Sequence, residues 1–94
     1  MADSGNERRI GMFDVIRNTV PLEGYDDENI LRQIPVGSEG TVLEIYGDGE
    51  AFEVEFSKIE GPALPPTFNG VLLSVDADQC ELVWKYPRNN EPQD

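Results

Sequence analysis

The chain has no histidine and a single cysteine, Cys80, and these two scarcities remove much chemistry at once. Without histidine there is no ordinary general base near neutral pH, and no Ser-His or Cys-His pair to activate a nucleophile. Zinc held by Cys and His ligands is excluded for the same reason. One cysteine makes no internal disulfide, which fits a reducing cytoplasm. With nothing to activate it, Cys80 reads as a small packing residue. No run of about 18 apolar residues occurs, so no membrane-spanning helix is expected. The opening MADSGNERR lacks the apolar centre of a secretory signal. No glycine-rich phosphate loop or dinucleotide fingerprint stands in the strand–turn–helix setting it needs.

Basic residues are also few, seven against 19 acidic ones, for a net charge of −12 over 94 residues. The ends carry almost none of this charge. Residues 1–9 are balanced by Arg8 and Arg9, residues 87–94 sum to −1, and −11 remains on residues 10–86. An acidic domain repels phosphate backbones, which argues against direct nucleic-acid binding. It favours fast encounter with basic surfaces. The length is that of one domain. A chain this small buries only about 60% of its unfolded surface, so its core must be compact.

The richest segment is Gly37–Phe56, GSEGTVLEIYGDGEAFEVEF. Asp48-Gly49 signals a two-residue hairpin turn with positive φ at both positions. With Gly47 opposite Glu50, Tyr46 faces Ala51, Ile45 faces Phe52, Glu44 faces Glu53, Leu43 faces Val54 and Val42 faces Glu55. Alternation then places Leu43, Ile45, Phe52, Val54 and Phe56 on a core face, and Val42, Glu44, Tyr46, Glu53 and Glu55 on the other. A shift by one residue would mix the faces. Gly37 and Gly40 imply a tight bend into the first strand. Glu44 opposite Glu53 is a like-charge pair, destabilising by roughly 0.2–1 kcal/mol. Glu55 adds a third charge. Such a face is either simply solvated, its repulsion screened by salt, or a surface that meets a basic partner.

Along the rest of the chain, 1–9 and 87–94 read as disordered ends. Phe13–Val20 reads as a strand ending at Pro21. Gly24–Val36 reads as a connector in which Asp26 or Asp27 caps a short helical turn through Ile30, Leu31 and Ile34, stopped before Pro35. Ser57–Asn69 is a second connector, broken by proline and glycine. Val71–Val75 is a strand, Asp76–Gln79 a tight turn, and Glu81–Tyr86 a final strand. Five short strands with turns between them predict a mainly β domain over residues 10–86, a small closed or half-closed barrel. Closure would also remove exposed edges.

The order FDVI, acidic connector, IPVGSEGTVLEIYGDGEAFEVEF and VLLSVDADQCELV resembles the DUF4926 family, a small bacterial family of unknown function. The likeness runs over roughly residues 12–84 and is most specific at Gly40, Thr41 and Val42. Longer connectors at Tyr25–Pro35 and Glu60–Asn69 depart from the family's usual length. The resemblance implies an SH3-like barrel and a stand-alone binding module, of the kind suspected of neutralising or accompanying a neighbouring protein.

Other constellations are weaker. Asp76-Ala-Asp-Gln-Cys-Glu81 spaces carboxylates like the start of a calcium loop, but Glu81 stands where that loop needs glycine, and position twelve is Pro87. Asp26, Asp27 and Glu28 form an acidic group better explained by a helix start than by a divalent ion. Paired carboxylates are abundant, but so small a barrel offers no deep sugar cleft. Pro62-Ala-Leu-Pro65 has PxxP spacing and is either a polyproline ligand or a stiff loop pinned by Leu64 and Phe68. Leu82, Trp84 and Tyr86 share one strand face, two of them capping the core and one left as a candidate anchor.

The sequence therefore reads as non-catalytic, with no cofactor and no metal. Glu44, Tyr46, Glu53, Glu55 and Trp84 are the candidate partner-binding residues. The first reading is an antitoxin-like or immunity-type neutraliser of a basic protein. A DNA-mimicking inhibitor of a nucleic-acid enzyme and an accessory or assembly subunit stand beside it, with an enzyme as the remaining class.

Overall fold

A computed structural model describes residues 9–59 and 68–87. The Pro62–Pro66 segment and nearly all of both expected tails lie outside those residues. Seven strands form, in chain order β1 Val15–Asn18, β2 Leu22–Tyr25, β3 Leu31–Ile34, β4 Glu39–Tyr46, β5 Ala51–Phe56, β6 Val71–Asp76 and β7 Cys80–Trp84. A 3-10 turn, Ala77–Gln79, joins β6 to β7, with the Asp76 N–H donating to Gln79 Oε1 at 3.1 Å. Five strands make an antiparallel sheet in the order β6-β5-β4-β1-β7, and β2-β3 make a separate hairpin.

The mainly β class holds, and two expectations are corrected. Among the described residues the two sheets do not close into a barrel, and seven strands form instead of five. The five expected strands are the members of the larger sheet. The additional pair lies where a helical turn was expected. Asp26 does accept backbone hydrogen bonds as a cap would, its Oδ1 taking the Glu28 and Ile30 N–H groups at 2.9 Å each. Its own N–H, however, donates to the Ile30 carbonyl at 3.0 Å, closing a β-hairpin loop. Asn29 supplies the positive φ of that loop at 66°, a conformation asparagine tolerates. Short side-chain-to-backbone bonds of this type serve a turn as well as a helix start, and the sequence signal is shared. The acidic group Asp26–Glu28 is thus a hairpin loop, and no helix begins there.

The β4–β5 pair shows what patterning reads correctly and what it misses. Tyr46 faces Ala51, Ile45 faces Phe52 and Glu44 faces Glu53, as expected. Beyond them Val42 faces Val54 and Thr41 faces Glu55, because Leu43 is an extra, unpaired residue. This β-bulge reverses the expected faces at that point. Val42 is fully buried and Leu43 only half-buried, the opposite of strict alternation. The turn also differs. Gly47–Glu50 form a four-residue loop in which the Gly49 and Glu50 N–H groups both point to the Tyr46 carbonyl, at 3.3 and 3.1 Å. Positive φ falls on Gly47 (63°) and Gly49 (93°), not on Asp48, since glycine takes that conformation without steric cost.

The core lies between the inner face of the large sheet and the β2–β3 hairpin. It comprises Ile16, Ile34, Val42, Phe52, Val54, Phe56, Val71, Val75 and Cys80. Gly40 does not make the bend expected of it. A Cβ there would lie 2.5 Å from Val54 Cγ1 and 3.0 Å from the Glu55 carbonyl, so glycine is needed for close approach. Asn18, buried at the end of β1, donates to the carbonyls of Val20, Ile34 and Pro35 at 2.8, 3.2 and 3.0 Å. It thereby ties β1 to the end of the hairpin.

Candidate functional site

Antiparallel partners share a face, so the pairings define rows of outward side chains across the sheet. One row runs Leu72, Glu55, Thr41, Val15, Trp84. The next holds Ser74, Glu53 and Glu44, and beyond it lie Asp76, Ala51 and Tyr46. On the other side, Glu39, Arg17 and Glu81 line up. Of the candidate residues, Glu44, Tyr46 and Glu53 thus come together. Glu55 lies on the same face two residues along β5. Trp84 stands in the Glu55 row, three strand spacings or about 14 Å away.

The expected Glu44–Glu53 pair is present, and its crowding is relieved locally. Tyr46 Oη donates to Glu53 Oε1 at 3.0 Å, and Ser74 Oγ reaches the same oxygen at 3.3 Å. The hydrogen bond to Glu53, with burial and the charges of Glu53 and Glu44, raises the Tyr46 phenol above its ordinary value. Glu53 is therefore occupied, whereas the Glu44 and Glu55 carboxylates make no hydrogen bond or ion pair among the described residues. Arg17 Nε meets Glu81 Oε2 at 2.6 Å with both side chains about half exposed, a pair of small energetic weight.

The aromatic end is corrected in two respects: the three residues do not share one face, and two of them do not cap the core. Val15 faces Trp84 while Ile16 faces Leu82, so Val83 is a bulge and Leu82 and Trp84 point to opposite faces. Leu82 is half-buried, and both Trp84 and Tyr86 are exposed. The Trp84 ring meets Tyr86 edge-on with centroids 6.2 Å apart, and Tyr86 meets Phe13 at 5.5 Å. Phe13 holds φ of 69°, a left-handed conformation costing a bulky residue roughly 1–2 kcal/mol. Its N–H donates to the Val42 carbonyl at 2.7 Å.

Behind this cluster lies a residue the sequence reading passed over. Asp14 is fully buried and accepts from Gly11 N–H (2.7 Å), Lys85 Nζ (2.8 Å) and Tyr86 N–H (2.8 Å). Burial pushes its carboxyl up, but Lys85 and the two backbone donors outweigh that and hold it below the usual value. The available signal was an acid inside the apolar run FDVI. Asp26 is likewise held low, by the Ile30 N–H first, against burial, and by Arg32, whose Nε lies 2.8 Å away. Burial raises the Cys80 thiol to about 11, with Asp78 adding to the effect. No group of three or more His, Cys, Asp or Glu residues suited to a metal ion occurs among the described residues. No helix there is long and apolar enough to cross a membrane.

Two hollows open on the outer face. One of about 350 Å³ lies among Tyr25, Asp27, Glu55, Asn69 and Leu72. Another of about 200 Å³ lies among Val15, Glu39, Thr41, Glu55 and Lys58. Glu55 borders both.

Fold and face together define a small mainly β domain that displays glutamates and aromatic rings on one open sheet surface. The sequence profile described as "Domain of unknown function (DUF4926)" matches residues 12–65, more than half of the chain, and the protein belongs to that family. No curated protein and no solved structure matches it.

Proposed function

We propose that this protein is a non-catalytic binding module whose outer sheet face receives a basic protein, acting in the cytoplasm as an antitoxin- or immunity-type neutraliser. One observation carries the reading. The outward rows of β1, β4, β5 and β7 present Glu39, Glu44, Glu53, Glu55 and Glu81 against Arg17 within the rows and Lys58 just past β5, with Val15, Tyr46 and Trp84 interleaved. Clustered carboxylates raise the rate of encounter with a basic surface, and exposed aromatics provide the contact that holds it. In this reading the two-sheet arrangement is an open relative of the SH3-like scaffold, with the β2–β3 hairpin bracing one end of the face.

The test is affinity capture from the native host at low and high salt, with Glu44→Lys, Glu53→Lys and Glu55→Lys beside the wild type. The expected partner is basic, elutes as salt rises, and is lost in the charge reversals. Wild-type affinity for the purified partner in all three variants removes this face from consideration. The Phe13–Tyr86–Trp84 cluster favours a second reading, an accessory or assembly subunit that docks by its aromatic end. Binding that ignores salt and is lost in Trp84→Ala selects that reading.

A further inference from the structure

The two hollows share Glu55 as a wall and follow one outward row of the sheet, which together we treat as a groove. The bridge between Asp26 and Val71 sets the end of β2 beside β6, which extends the outward row past Leu72 to Tyr25. From Leu72 to Val15 the groove crosses three strand spacings, about 14 Å, the length of roughly four extended residues. Glu55 stands at its middle as a wall of both hollows, with no ion pair among the described residues.

The two ends differ in chemistry. In the larger hollow, Tyr25 is 60% and Leu72 52% exposed, so an aromatic face and an aliphatic side chain are open beside Asp27 and Glu55. Asp26 adds little free charge there, since Arg32 and two backbone N–H groups already occupy its carboxylate. Among the described residues the Asp27 carboxylate accepts from the Asn69 side-chain amide alone, at 2.7 Å. An apolar wall for a methylene stem, a ring face and two carboxylates at the tip suit an arginine or lysine side chain. In the smaller hollow Lys58 shares the lining with Glu39 and Glu55, so the local charge is partly balanced, and Val15 and Thr41 offer room for a smaller side chain.

We infer that this groove seats an extended basic segment of the partner, with one cationic side chain in the Tyr25–Leu72 hollow against Glu55 and Asp27. The segment crosses the strands over Glu55 towards Thr41 and Val15. This rests on the basic-partner reading and adds where the segment lies and which residues grip it.

The experiment is an amide NMR titration of the full ¹⁵N-labelled chain with the hexapeptide Ac-Ser-Arg-Ser-Gly-Arg-Ser-NH₂. A second peptide carries citrulline for arginine, with the same shape and no charge. Saturable shifts are expected at Tyr25, Asp27, Thr41, Glu55 and Leu72. Loss of one charge-assisted contact should weaken binding about tenfold, both for the citrulline peptide and in Glu55→Gln, while Asp48→Asn, in the exposed β4–β5 loop, binds as wild type. Tyr25→Ala is the second variant and should weaken binding without moving the unfolding midpoint. Shifts confined to Glu44, Tyr46 and Glu53 would overturn the groove but leave the basic-partner reading standing. Wild-type affinity in Glu55→Gln would overturn the groove in the same way. Equal binding of both peptides, or no saturable shift with either, would overturn both.

Discussion

Tyr46 Oη donates to Glu53 Oε1 at 3.0 Å, on the strand pair where Glu53 faces Glu44. A phenol two positions along the strand thus softens a repulsion between two carboxylates placed opposite each other. The arrangement has a titration signature. The folded state holds the phenol proton more tightly than the unfolded chain does, so the contribution is complete below about pH 10 and is lost as pH rises through the folded value. Phenolate absorbance followed against pH should show a late step that Tyr46→Phe removes. Glu53→Gln should bring the step earlier, and Glu44→Gln should do so by less.

The Asp14 clamp sets an opposite, acid-side dependence. Its carboxyl is held low in the folded state, so its stabilisation is present above about pH 4 and disappears as pH falls through the lowered value. Asp14→Ala removes three acceptor bonds, to Gly11 nearby and to Lys85 and Tyr86, which lie 71 and 72 residues away in sequence. Hydrogen bonds to charged groups predict a loss of about 2–3 kcal/mol, read from urea unfolding at neutral pH. The difference from wild type should shrink as pH falls through the lowered Asp14 value. Asp14→Asn keeps the shape without the charge and should fall between the two.

Gly40 is a packing requirement. With Val54 Cγ1 2.5 Å from where a Cβ would sit, Gly40→Ala forces β4 and β5 apart and should cost about 1–3 kcal/mol in chemical denaturation. Gly37 makes the contrast. Nothing lies within 4 Å of its would-be Cβ, but its φ is 91°, so Gly37→Ala should cost about 1–2 kcal/mol through backbone strain alone.

Cys80 should be inert in the native protein. Burial has raised its thiol to about 11, and only the thiolate reacts readily. At pH 8 a chromogenic disulfide reagent should label it slowly in buffer and stoichiometrically in denaturant. Fast native labelling would show that β7 detaches from the sheet.

The Val42–Leu43 step shows why the hairpin was legible and its details were not. Alternation predicted the pairs from Tyr46 down to Glu44 because each residue there keeps the period of two. One extra residue at Leu43 breaks that period, and composition carries no mark of a bulge because valine and leucine are equally apolar. The same reason hides the bulge at Val83 and so the outward turn of Trp84. The Asp26 loop was legible as a capping sequence but not as a hairpin. Leu22–Tyr25 and Leu31–Ile34 are too short and too mixed to declare their pairing, and each is fixed by burial of Leu22 and Ile34 on the core.

Taken alone, the sequence determined the mainly β class, the Glu44–Glu53 pairing, the net charge and the poverty of nucleophiles, all of which depend on residue type and on local period. Tertiary structure decided that the described sheets stay open, that Asp14 ties Gly11 to the Lys85–Tyr86 segment, and that Glu55 stands between two hollows. Those features join residues tens of positions apart, through contacts that exist only once β1, β5 and β7 lie in one sheet.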